Sequence, residues 1–117
     1  MKAKELRIGN LVNVSVIDQN VSVSAISKDT IRVNDNILAI LKYDQIEPIV
    51  LTEKWMQKLG FKYSKMYGWF ENKDTFIKIS KEFNLYFSYP RTYKELTFVH
   101  ELQNLYFALT GKELTLK

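Results

Sequence analysis

The run 61-FKYSKMYGWFENKDTFIKISKEFNLYFSY-89 decides how this chain is read. It alternates rather than repeating every three or four residues. Phe61 and Tyr63 alternate with lysines, and Leu85, Phe87 and Tyr89 alternate with Tyr86 and Ser88. A period of two places one set of side chains on a core face and the other toward water. Tyr67-Gly68 and Asn72-Lys73-Asp74 are turn signals between the alternating runs. The stretch therefore predicts an antiparallel meander of about four strands, with lysines and tyrosines on its outer face.

C-terminal to the meander, Pro90 is expected to end the sheet. Thr92 and Glu95 have the T-x-x-E spacing of a capping box. They predict a helix from about Tyr93 to Thr110. Leu96, Val99, Leu102, Gln103, Tyr106 and Leu109 recur on one helical face. Leu105 and Phe107 widen that face, which suits either a deep core or a seam between two copies, so a homodimer stays open. Gly111 is placed for the left-handed C′ residue, and Lys112 for the carbonyl end.

N-terminal to the meander, Thr52 fits an N-cap and Glu53 the first turn of a short helix. Leu51 and Met56 have the spacing of a hydrophobic staple, and Gly60 closes the helix. Its buried stripe is expected to be Trp55, Met56 and Leu59. Two turns of helix are unstable alone, so packing must hold it. Residues 6–51 give short β-runs separated by Gly9-Asn10, "DQN" at 18–20, "SKD" at 27–29 and "NDN" at 34–36. They predict a curled sheet or SH3-like small barrel. The fold class is α+β in a single domain, 1–117. It comprises a β-rich unit over 1–51 and a helix, meander and C-terminal helix over 52–117.

A chain of 117 residues that is 46% hydrophobic and 14% aromatic can build a core without metals or disulfides. It has no cysteine, which removes thiol nucleophiles, CxxC redox chemistry, zinc ribbons and iron–sulfur clusters. No apolar run nears the roughly 18 residues of a membrane span. The opening "MKAKELRIGN" has lysines but no apolar region behind them. These features lead to the expectation of a cytoplasmic protein. Net charge is +4, with only three arginines among 17 basic residues. Lysine is a poor bidentate reader of base edges, so sequence-specific DNA recognition is disfavoured.

Catalytic groupings are sparse. His100-Glu101 begins an H-E-x-x pattern, but position 104 is Asn and no second histidine exists. Glu71-Asn72-Lys73 is an E-x-K, with Asp44 or Glu47 as the further acid that magnesium chemistry would need. At a hairpin turn such residues are ordinary. G-x-S-x-G is absent, and all four glycines are isolated, so no glycine loop cradles phosphate. The expectation is a protein that is not an enzyme and uses no cofactor or metal.

A lysine–aromatic belt is the strongest candidate binding feature. Lys54 and Lys58 lie at i and i+4 on the short helix. Lys62, Lys65, Lys73 and Lys78 follow on the meander, interleaved with Tyr63, Tyr67, Trp69 and Phe70. Cations beside aromatic rings suit single-stranded RNA. They also suit an acidic protein surface, or a solvated face with no partner.

Three stretches carry a resemblance: "ELRIGNLV" at 5–12, "IEPIVLTEKWMQKLGF" at 46–61 and "VHELQNLYFALTGKEL" at 99–114. In order and spacing they resemble a family of small proteins of Bacteroidota phages and prophages. The likeness spans essentially the whole chain, though the family more often has glutamine at the position of Glu101. The resemblance implies a mobile-element accessory protein acting in a bacterial host. Such proteins are often regulators, or inhibitors of host defence including CRISPR effectors. The expectation is a binder of a host nucleoprotein, its guide RNA, or an acidic protein surface. The alternatives are a stand-alone nucleic-acid-binding regulator and a virion-assembly component.

Overall fold

The computed structural model describes residues 5–34, 39–72, 77–80, 84–86, 93–114 and 116. The fold is α+β, with two antiparallel sheets and a C-terminal helix. Contacts divide it into two compact units, Met1–Val50 with Phe98–Asn104, and Leu51–Thr97 with Leu105–Lys117.

In the first unit the strands are β1 (Leu11–Val14), β2 (Gln19–Ile26), β3 (Thr30–Val33), β4 (Ile40–Lys42) and β5 (Ile46–Glu47). They are ordered β4-β3-β2-β1-β5. Val12, Val14, Val21, Val23, Ile31, Val33 and Ile46 form the buried cluster together with Leu6. A register shift between Val23 and Ala25 interrupts β2, so the inward set expected at 21, 23 and 25 holds only for the two valines. Strand β5 pairs Glu47 with Asn13 and Ile46 with Val14. Pro48 follows directly, as suits an edge strand. Among the described residues nothing pairs β4 with β5, so the sheet stays open at both ends.

The first helical residues of α2 (Val99–Thr110) belong to this unit and close it with amides. Gln103 Oε1 accepts from the Leu11 N–H at 2.8 Å, and its Nε2 donates to the Gly9 carbonyl at 3.2 Å. Asn104 Oδ1 accepts from Asn10 Nδ2 at 2.8 Å and from an Arg7 guanidinium nitrogen at 2.9 Å. Its own amide donates to the Glu5 carbonyl. Asn10 and Gln103 are buried polar side chains, and each is satisfied in this lock. The "RIGN" and "LQN" stretches that mark the resemblance are thus hydrogen-bonded to each other.

The second unit begins with α1 (Glu53–Lys58). Thr52 Oγ1 accepts from the Trp55 N–H at 3.3 Å. At the other end Gly60 donates to Gln57 and Phe61 to Met56, the paired bonds of a Schellman motif. Gly60 has φ +89°, open to glycine without strain. Met56 and Leu59 are fully buried, whereas Trp55 is only partly so.

The second sheet has five strands: β6 (Lys62–Ser64), β7 (Trp69–Glu71), β8 (Lys78–Ser80), β9 (Asn84–Tyr86) and β10 (Tyr93–Glu95). They run in the order β10-β9-β8-β7-β6. The extra strand corrects the expected meander of four. Tyr93, Lys94 and Glu95 pair with Tyr86, Leu85 and Asn84, so the sheet resumes beyond Pro90 and α2 starts later than Tyr93. Thr92, half of the expected capping box, lies outside the described residues. The helix opens at Val99 because residues 97–99 are first held extended. Val99 N–H bonds Ile49 O, Leu51 N–H bonds Thr97 O, and Val50 bridges Phe98. Glu101 then reaches back to the Phe98 N–H at 2.9 Å, the cap that the Thr92–Glu95 spacing imitated. At its far end the Gly111 N–H bonds Phe107 O, as expected of a left-handed C′ residue.

Candidate binding face on the second sheet

Register decides which candidate residues meet. Lys62 pairs with Glu71, and Glu71 with Lys78. One row ahead, Ser64 pairs with Trp69 and Trp69 with Ser80. Directly paired residues share a face, so Lys62, Glu71, Lys78 and Trp69 all lie on one side of the sheet. Phe70 and Ile79 alternate to the other side and are buried. Tyr63 pairs with Phe70 and packs on it, ring centroids 5.2 Å apart. It therefore belongs to the inner face, at the exposed edge strand, and not to the lysine face.

The loop Lys65–Gly68 joins β6 to β7. Its last residue, Gly68, has φ +75° and donates to Ser64 O at 2.8 Å. This left-handed close turns the chain sharply back. Tyr67 thereby stacks on Trp69, with centroids 5.1 Å apart and planes 10° from parallel. Lys78 Nζ lies 4.6 Å from the Trp69 ring centroid, across the strand diagonal. The Trp69 indole N–H donates to Glu71 Oε2 at 3.2 Å, which engages the acid within the row. Lys65, Met66 and Tyr67 crown the loop, Met66 with 82% and Tyr67 with 60% of its surface exposed.

Of the sequence candidates, Lys62, Trp69 and Lys78 thus share one sheet face, Tyr67 stacks on Trp69, Lys65 lies in the adjoining loop, and Tyr63 faces away. Lys54 and Lys58 are exposed on α1, where Lys58 Nζ sits 4.7 Å over the Trp55 ring as a separate cation–aromatic pair. Lys73 lies outside the described residues. Met66 was passed over in the sequence because a lone methionine in a turn carries no periodic signal.

The β1–β2 loop, Ser15–Asp18, has the same length and also ends left-handed, at Asp18 with φ +47°. It too exposes two apolar residues, Val16 at 84% and Ile17 at 61%. It carries no lysine and no ring, so it lacks the chemistry that the β6–β7 loop offers to a polyanion.

The candidate acids fall in different units. Glu71 ends β7 rather than occupying a turn, while Asp44 sits on the 3₁₀ turn Tyr43–Gln45 of the first unit. Glu47 accepts from Asn13 Nδ2 at 2.7 Å. Among the described residues no three metal-ligating side chains gather.

His100 is 4% exposed and stacks on Phe98 at 5.8 Å, while its Nδ1 has no hydrogen-bond partner. Burial lowers its pKa from the ordinary 6.5, against the opposing fields of Glu101 and Glu5. The folded state therefore holds the imidazole neutral where the unfolded chain begins to take a proton. Stability should be complete above the unfolded value near 6.5 and fall as pH drops toward the depressed folded value. Urea unfolding across that window should show the loss, and His100→Phe should flatten it. An unchanged slope in the variant would assign the loss to other groups.

No described helix is long and apolar enough to cross a membrane. Comparison of the chain with family models, curated proteins and solved structures finds no match.

Proposed function

We propose that this protein acts by binding rather than by catalysis, and that the outer face of β6–β8 with the β6–β7 loop is the contact surface. The partner is single-stranded RNA, in the guide RNA or RNA path of a host RNA-guided defence nucleoprotein. One observation carries this reading: the Lys78–Trp69–Tyr67 stack stands on a sheet face that also bears Lys62, with exposed Lys65 in the adjoining loop. Cations that follow a phosphate chain, beside rings that accept bases, are what single strands require. The resemblance to phage and prophage accessory proteins supports the biological setting, an inhibitor acting in the cytoplasm of a bacterial host. The first unit, as an SH3-like curled sheet, serves in this reading as scaffold.

The test is direct. Purified protein is titrated with an RNA-guided effector, with its guide RNA, and with the assembled complex, at several salt concentrations. Binding that weakens steeply with salt, with loss of effector activity, is the expected result. Absence of both binding and inhibition overturns the reading. Salt-resistant capture of the RNA-free effector alone would point to an acidic protein surface instead. Co-purification with particles would favour a role in virion assembly.

A further inference from the structure

The geometry points to Tyr67 as the stacking platform for an unpaired nucleobase, at the open end of a stack the protein has already half built. The inference rests on the nucleic-acid reading above and deepens it. Trp69 is engaged from within the fold: Lys78 lies over its ring, Tyr67 stacks against it, and its N–H is held by Glu71. It is the fixed base of the stack rather than its acceptor. Tyr67 meets Trp69 through one face and leaves most of its surface to solvent. The near-parallel planes, 10° apart, mean that a flat ring laid on Tyr67 continues the series.

The surroundings select the occupant. Met66 beside it offers a polarisable apolar edge, and Lys65 in the same loop supplies a cation for the adjoining phosphate. The indole N–H is already held by Glu71 and so is not offered to a base edge. Recognition is therefore of the base as a ring and tolerates sequence. A base in a duplex has both faces covered by its neighbours, so the site takes single strands. One platform contributes a single stacking contact, and neighbouring contacts must supply the rest of the affinity.

Fluorescence anisotropy with the full chain tests this. The probes are a short labelled oligouridylate, the same sugar-phosphate chain with abasic residues, and a duplex of equal length. The base-bearing strand should bind about tenfold more tightly than the abasic one. Tyr67→Phe should keep that ratio, whereas Tyr67→Leu should bring it near one. Thermal unfolding of both variants checks that this exposed position leaves the fold intact. Equal binding of base-bearing and abasic strands, or duplex binding as tight as single-strand binding, overturns the stacking platform while leaving a charge-driven interaction. If no probe binds, the platform and the nucleic-acid reading fall together.

Discussion

Asn104→Leu is expected to cost the protein about 3 kcal/mol, from the penalty for leaving buried polar groups unpaired. Leucine keeps the branched shape of asparagine with bulkier methyl ends, so none of that loss comes from a cavity. Asn104 Oδ1 serves two donors, Asn10 Nδ2 and the Arg7 guanidinium. Asn10 is fully buried, so its amide finds no water when the acceptor goes. Urea unfolding followed by far-ultraviolet circular dichroism should show the midpoint falling by about 1–3 M, given ordinary slopes for a small protein. Asn104→Asp keeps the acceptor for both donors but sets its second oxygen against the Glu5 carbonyl, so it should recover only part of the loss. A change below about 1 kcal/mol in the leucine variant would mean that the lock is solvated.

The second large effect concerns binding. Removing the charges of Lys62 and Lys65 should weaken single-strand RNA affinity by about tenfold at low salt and lower the salt slope by about 0.7 per lost phosphate contact. The two positions call for different substitutions. Lys65 sits in the exposed loop, where Lys65→Glu is structurally harmless. Lys62 pairs directly with Glu71, so Lys62→Glu would set two carboxylates opposite each other and destabilise the strand pair. Lys62→Gln removes the charge without that repulsion. Lys54→Gln, on α1, is the natural control and should change affinity less. An unchanged salt slope in the double variant would remove these lysines from the contact.

What could be read from the sequence follows the range of the interactions. Helix α1 was legible almost to the residue because Thr52, Leu51, Met56 and Gly60 act within one turn of it. The start of α2 was not, because two segments offer nearly the same cap. Thr92-x-x-Glu95 has the pattern, but Glu95 is taken by pairing with β9, a contact with no local signature. The working cap, Glu101 on Phe98, lacks the Ser or Thr that would announce it. Strand β5 escaped notice because two residues show no period. Within the candidate face, alternation and the Tyr67-Gly68 turn placed Trp69 and the lysines in one region. The separation of Tyr63 from them, and the diagonal that brings Lys78 over Trp69, depend on register and only the paired strands display them.

The Asn10–Asn104 bond also imposes an order of events during synthesis. Its partners are 94 positions apart. At ribosomal speeds of about 5–20 residues per second, Asn10 emerges roughly 5–20 s before the acceptor that satisfies it. Gln103, which caps the Leu11 N–H and the Gly9 carbonyl, is equally late. The first five strands therefore wait, with a polar loop unfinished, until residues 103 and 104 have been translated. The hydrogen bonds of that sheet's N-terminal loop are completed only as α2 arrives.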